Sequence, residues 1–161
     1  MDPSANPFAA LSLIVAPAIL TNACALLSMS TSNRLARAVD RSRELLREIE
    51  HGAAGDPRIR LLRDLGITET RALLLLRVLR SFYVALAGFA TATLVSLIGA
   101  VVASAGRQGV TTFMEVLGAG AGIVAVGALL TGAVLLVRET RLAVGVLQER
   151  VAAARAMAPP P

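Results

Sequence analysis

The chain is poor in the residue types from which catalytic and metal sites are usually built. It has one Cys, one His, one Tyr and no Trp, and all 16 of its basic residues are Arg because Lys is absent. A single Cys excludes an intrachain disulfide and a metal site made of several thiolates. A single His excludes a multi-histidine site within one chain. The sequence also lacks a Gly-rich phosphate loop and a plausible Ser/His/Asp set. We therefore expect no enzyme activity, no cofactor and no bound metal.

Charge is scarce as well, and long apolar runs take its place. Charged residues make up 17% of the chain and hydrophobic residues 55%, with a mean hydropathy of +0.68. Three apolar runs of 22, 23 and 25 residues lie at 8–29, 82–104 and 113–137. About 20 apolar residues suffice to cross the hydrocarbon core of a bilayer. The sequence predicts an all-α protein with three transmembrane helices, forming a single membrane domain over residues 1–161.

The distribution of Arg predicts the orientation of these spans. The segment 30–81 holds 11 Arg and the tail 138–161 holds four, whereas the short loop 105–112 holds one and residues 1–7 hold none. Basic residues accumulate on the cytoplasmic side of membrane proteins. We expect an external N-terminus and a cytoplasmic C-terminus. The arginines alternate with acids and lack neighbouring aromatics, so anionic lipid headgroups are more plausible partners than nucleic acid.

The segment between the first and second spans predicts an Arg-rich cytoplasmic helical hairpin. No Gly or Pro occurs between Ala18 and His51, so the first span should continue into the cytoplasm as one helix. Residues 51–57 have the composition of a turn. A short helix at 58–65 should then end at Gly66, and Thr68 should cap the helix that enters the second span. The tail 138–157 predicts a further helix.

Apolar residues recur at heptad spacing in the first arm of this hairpin. The seam comprises Leu35, Val39, Ser42, Leu46 and Ile49. Such spacing is typical of a coiled coil. The seam could cover the chain's own hairpin, by packing on Ile59, Leu62 and Leu65, or it could join subunits about a symmetry axis.

Three sets of residues are candidate functional positions. A polar stripe follows the first span: Pro17, Thr21, Asn22, Cys24, Ser28 and Thr31. It could bond to its own backbone, or face a partner helix or a water-filled path. A cytoplasmic polar network could follow it, centred on the carboxylate of Asp40: Asn33, Arg34, Arg37, Asp40, Arg41 and Arg43. The alternative is a solvated charged face.

The third set consists of small residues that permit close helix packing in membranes. Its members are Gly88, Ala92, Ser96, Ala100, Gly118 and Gly122. They could join the second and third spans of one chain or form a subunit interface. Glu115 is the one charge in the third run, and it fits a capping box with Thr112 at the start of that helix.

The stretches 17–27 and 33–43 together resemble one bacterial family. They read Pro-Ala-Ile-Leu-Thr-Asn-Ala-Cys-Ala-Leu-Leu and Asn-Arg-Leu-Ala-Arg-Ala-Val-Asp-Arg-Ser-Arg. A Pro-bearing first span followed by Asn-Arg-Leu-x-Arg-x-x-Asp-Arg-x-Arg is similar to the domain of unknown function 2721 family of small three-span membrane proteins. The entry to the second span, 71–83, is similar too. The resemblance implies a bacterial inner-membrane protein and no particular activity.

Two functions are compatible with these patterns. The first is a non-enzymatic homo-oligomer whose first-span helices surround a shared axis and could conduct ions or water. It depends on the polar stripe being in phase with the Leu35–Ile49 seam. The second is a membrane-anchored interaction or regulatory module, which acts through its basic cytoplasmic hairpin on a protein partner or on anionic lipid.

Overall fold

Three long helices make up the described part of the chain. The computed structural model describes residues 7–52, 55–104 and 108–157. Helix α1 covers Pro7–Glu50, α2 covers Asp56–Ser104 and α3 covers Gln108–Met157. Each contains a stretch that is long and apolar enough to cross a membrane. The predictions of an all-α chain and of three candidate membrane helices are confirmed.

Helix α1 is continuous over 44 residues, as the absence of Gly and Pro after Pro17 predicts. Pro17 lies within the helix. The turn that follows places two glycines at positive φ, Gly52 at 105° and Gly55 at 71°, a region that residues with a Cβ rarely adopt. The carbonyl of Gly55 accepts hydrogen bonds from the N–H groups of Arg58 and Ile59 and so starts α2.

The break predicted at Gly66 is wrong, because α2 runs through it. Thr68 is not a cap, since its hydroxyl donates to the carbonyl of Asp64 at 2.8 Å inside the helix. Thr70 likewise donates to the carbonyl of Gly66 at 2.9 Å. A single Gly costs a helix only about 1 kcal/mol relative to Ala, which helix-forming neighbours on both sides can offset. Gly66 is therefore an interior helix residue.

The start of α3 also differs from the prediction. The helix begins at Gln108, so Thr112 and Glu115 lie inside it and the capping box is wrong. The expected external turn is shorter than 105–112, and its residues 105–107 lie outside the described part. At the other end α3 continues through 138–157 without interruption, so the predicted tail helix is an extension of the third span.

The chain forms two compact units, and the first comprises Met1–Ser30 and Leu79–Gly132. Its core contains Cys24, Ala85, Phe89 and Ala125, with Leu20 and Leu129 among the side chains packed around them. These residues come from all three helices. Small side chains and one aromatic ring fill this core, which lets the helices approach closely.

The second unit comprises Thr31–Val78 and Ala133–Pro161. Its buried side chains include Thr31, Leu45, Leu75, Val78 and Glu139. The predicted seam includes Leu46, but the neighbouring Leu45 is the buried residue. Leu45 is 1% exposed and Leu46 is 44% exposed. The buried face of this part of α1 follows a 4-3 spacing: Thr31, Leu35, Ala38, Ser42, Leu45 and Ile49.

The seam's proposed partners within the chain are mostly on the surface. Ile59 and Leu62 are exposed, whereas Leu65 is half-buried. Ser42 points inward and donates its hydroxyl to the carbonyl of Ala38 at 3.0 Å. Leu46, Ile59 and Leu62 therefore do not form the expected buried seam of a hairpin.

Candidate functional site

A buried carboxylate is the most unusual feature of the second unit. Glu139 lies two residues after the third apolar run, and only 2% of it is exposed. Arg71 donates from Nε and Nη2 to Glu139 Oε1, at 3.1 and 2.8 Å. Arg34 Nη1 lies 3.7 Å from Oε2. The three residues come from three helices, so this ion triad links α1, α2 and α3 within the second unit.

The three charged groups of this triad differ in their exposure to water. Moving a carboxylate out of water costs several kcal/mol unless charged partners and hydrogen bonds compensate it. The side chains of Arg34 and Arg71 remain 43% and 37% exposed, so both cations keep part of their hydration. The guanidinium of Arg71 supplies two donors in a fixed geometry, which suits a carboxylate. The triad therefore connects the three helices through one buried carboxylate.

The chemistry open to this site is limited. Among the described residues, no group of three or more His, Cys, Asp or Glu side chains is placed to hold a metal ion. Arg71 donates both of its hydrogen bonds to Oε1 of Glu139, whereas Arg34 lies 3.7 Å from Oε2, beyond hydrogen-bond distance. Since Glu139 is only 2% exposed, its carboxylate has little surface with which to meet a substrate.

Glu139 is not among the predicted site residues, because its position in the predicted tail helix gives it no evident role. Its main partner, Arg71, is 68 residues away in sequence, so no local spacing reveals the pair. One signal was available. Glu139 is the only acidic residue within eight positions of the inner end of any predicted span. A lone acid among arginines at that depth needs a partner, and the partner had to come from another helix.

The predicted cytoplasmic network is divided in the structure. Arg34 joins Glu139, whereas Asn33 and Arg37 are exposed. Within the residues that the structure describes, Asp40 pairs with Arg43, at 3.9 Å, and both side chains are exposed. Arg41 donates to Glu44 at 2.5 Å and lies 4.0 Å from Glu48. The hydrogen bond to Glu44 raises the pKa of Arg41 above its ordinary value. Most of the set is therefore a solvated charged face.

The polar stripe of the first span faces the interior of its own chain, with one exception. Pro17 and Thr21 are half-buried, and Thr21 donates its hydroxyl to the carbonyl of Pro17 at 2.8 Å. Cys24 and Ser28 are buried in the first unit, and Thr31 is buried in the second. Within the described part of the chain, the Ser28 hydroxyl has no hydrogen-bond partner. Asn22 is exposed.

The small residues of the second and third spans are not equivalent. A Cβ on Gly88 would lie 2.8 Å from the Cβ of Ala125 and 3.1 Å from the carbonyl oxygen of Ala121. A Cβ on Gly118 would lie 3.5 Å from Val95 and 3.8 Å from Ser96. Ala92 is buried and Ala100 is exposed. A Cβ on Gly122 would meet no described atom within 4 Å. Gly88 and Gly118 thus lie at the contact between α2 and α3.

An open groove of about 530 Å³ lies along α2 and α3 in the first unit. Its lining is almost entirely apolar, and its one hydroxyl, that of Thr91, donates to the carbonyl of Ala87. The groove lacks the convergent polar groups of a small-molecule site.

The comparisons agree with the sequence resemblance. Residues 14–149 match the family model described as Protein of unknown function (DUF2721). No curated protein and no solved structure matches the chain. The match covers the second and third apolar runs, most of the first, and the triad residues Arg34, Arg71 and Glu139. The chain therefore belongs to the domain of unknown function 2721 family.

Proposed function

We propose that this protein is a non-enzymatic, membrane-anchored interaction module whose juxtamembrane arginines bind anionic lipid headgroups. It resides in the bacterial inner membrane, with its N-terminus outside and its C-terminus in the cytoplasm. The orientation is supported by 15 Arg in segments 30–81 and 138–161 against one in the opposite loop. The cytoplasmic leaflet carries the anionic lipids to which such segments are attracted.

The position of the arginines along the helices supports lipid as the partner. Five arginines of the second unit lie within eight residues of the inner end of a predicted span: Arg34, Arg37, Arg77, Arg138 and Arg141. Eight residues correspond to about 12 Å along an α-helix, a distance that includes the headgroup region of one leaflet, about 5–8 Å thick, and the water beside it. The distal part of the hairpin carries both signs of charge, in pairs such as Arg41–Glu44.

The burial of Glu139 is the observation that carries the proposal. It is the one carboxylate in the same interval of the helices, and its charge is taken up by Arg71 and Arg34. Arg37, Arg77, Arg138 and Arg141 are exposed, and none of them pairs with an acid in the described part of the chain. The surface at headgroup depth therefore offers cations without competing carboxylates.

The alternative, a pore around first-span helices, has less support from the position of the polar stripe. Cys24 and Ser28, which were to line the shared axis, are buried inside the chain. Cys24 packs against Ala85, Phe89 and Ala125, which are apolar. A pore hypothesis would now need polar residues on another face of a span.

Native mass spectrometry of the full chain in mild detergent tests the proposal. We expect adducts of phosphatidylglycerol to outnumber those of phosphatidylcholine. Changing Arg37, Arg77, Arg138 and Arg141 together to Gln should reduce the phosphatidylglycerol adducts at least about fivefold, since the loss of even one contribution of about 1 kcal/mol lowers binding about fivefold.

The matched control changes Arg43, Arg47, Arg58 and Arg60 to Gln, which removes the same net charge from the distal hairpin. This variant should keep its phosphatidylglycerol adducts. An equal loss in both variants, or no preference for the anionic lipid in the unaltered protein, would refute a headgroup site at the span ends.

A further inference from the structure

One amide at span depth has no partner in its own chain. Asn22 lies seven residues before the inner end of the first apolar run, about 10 Å into the span at 1.5 Å per residue. It is exposed, and its side chain makes no hydrogen bond within the described part of the chain. Four threonine hydroxyls in the spans differ from this amide: Thr21, Thr91, Thr93 and Thr131 each donate to the carbonyl four residues earlier.

An unpaired amide is costly at this depth. No water is present in the hydrocarbon core to satisfy its two donors and its carbonyl oxygen, and leaving them unmet costs several kcal/mol. Interhelical hydrogen bonds of Asn stabilise the association of membrane helices for this reason. The amide of Asn22 therefore calls for a partner outside the chain.

The face around Asn22 has the pattern of a helix–helix interface. Its members are all exposed and follow a 4-3-4-3 spacing: Val15, Ile19, Asn22, Leu26 and Met29. Ile19 is 63% exposed and Leu26 is 62% exposed, one on either side of the amide. This face is roughly opposite the buried side of α1 that carries Cys24 and Ser28. A heptad of large apolar residues with a single Asn is a pattern that fixes register between paired helices.

We propose that this face of α1 is the interface of a parallel homodimer, in which Asn22 pairs with Asn22 of the partner subunit across a two-fold axis. Copies of one chain insert with the same orientation, so their α1 helices are parallel and their Asn22 residues lie at equal depth. An amide both donates and accepts, which makes the pair self-complementary about that axis. A second copy of the chain thus provides a hydrogen-bonding amide at the same depth as Asn22.

Measurement of the dimer dissociation constant of the full chain in mild detergent tests this interface. Asn22→Leu should raise the constant about tenfold, whereas Asn22→Gln, which keeps an amide, should retain most of the affinity. Thr91→Val is the matched control. It removes a polar group from an exposed span position where the hydrogen bond is made within the chain, and it should leave the constant unchanged.

Cysteine cross-linking in native membranes provides a second measurement that does not depend on the stability of the Asn22 variants. In a Cys24→Ser background, single Cys residues at Ile19 and Leu26 should form disulfide dimers under mild oxidation. Ala16 is exposed too, but it lies about 100° around the helix from the centre of this face, so Cys there should not cross-link.

Four results would each overturn the homodimer. They are a strictly monomeric full chain, unchanged dimerisation of Asn22→Leu, equal cross-linking at Ala16, and cross-linking only to a different protein. Neither measurement involves the juxtamembrane arginines, so their results are independent of the lipid proposal.

Discussion

At the scale of single residues, Glu139 is the position where a small change has the largest effect. Its carboxylate is almost fully buried, while both of its arginine partners remain partly hydrated. Removal of a partner leaves a charge that neither water nor the remaining contact at 3.7 Å compensates. The loss of folding free energy on substituting an arginine of this triad is therefore set by the buried carboxylate that is left without a partner, and not by the hydrogen bond that is lost.

Arg71→Leu is expected to destabilise the protein by about 3 kcal/mol, which is the lower end of the range found when one partner of a buried ion pair is removed. Replacing Glu139 by Leu as well should recover most of this loss, because the uncompensated carboxylate is then gone. Unfolding by SDS titration from mild detergent, followed by circular dichroism, measures both effects.

The control is Arg43→Leu, the same substitution in the exposed pair with Asp40. Exposed pairs contribute about 0–1 kcal/mol, so this variant should unfold close to the unaltered protein. If Arg43→Leu and Arg71→Leu lose equal stability, or if the double variant is no better than Arg71→Leu, the triad has no special role.

At the scale of helices, the contact between α2 and α3 in the first unit depends on Gly88. A Cβ there would lie 2.8 Å from another Cβ and 3.1 Å from a backbone oxygen, neither of which can swing away. Gly88→Ala should therefore force the helices apart and cost about 1–3 kcal/mol.

Gly122→Ala is the matched control, because the new Cβ would meet no described atom within 4 Å. It should be neutral or stabilise by up to about 1 kcal/mol through helix propensity. The same SDS titration compares the two variants. Equal effects of both substitutions would show that close approach at Gly88 is not required.

The helices also show what could be predicted from the sequence. The three spans and the continuity of α1 were predictable because long apolar runs and the absence of Gly and Pro are local signals. The predicted helix boundaries at Gly66 and Thr112 are wrong. Both residues belong to patterns typical of helix ends, but both lie inside continuous helices. Leu45 and Leu46 are neighbours of the same type, so hydropathy could not decide which one is buried.

The candidate site was less predictable than the helices. The sequence predicts Arg34 in a network around Asp40, and it gives no sign that Arg71 and Glu139 form a pair. Their pairing depends on the packing of three helices, which composition and periodicity do not encode. The predicted stripe includes Asn22 with Cys24 and Ser28, yet Asn22 lies about 160° around the helix from Cys24 and about 120° from Ser28.

At the scale of the whole molecule, the distribution of Arg predicts a single orientation in the membrane. In a Cys24→Ser background, a Cys at Gly109 should react with a membrane-impermeant maleimide added to intact cells. A Cys at Asp56 should react only after the cells are permeabilised. Both positions are exposed in the structure, so access depends on the membrane alone. The reverse pattern would contradict the positive-inside assignment.

The packing of Cys24 has a practical consequence. It is the only thiol in the chain, and it lies among Ala85, Phe89 and Ala125 with no exposed surface. A membrane-permeant thiol reagent can reach it only when the first unit opens, so the rate of modification follows the population of that open state. The unaltered protein thus carries its own probe of conformational opening, at a position that samples all three helices at once.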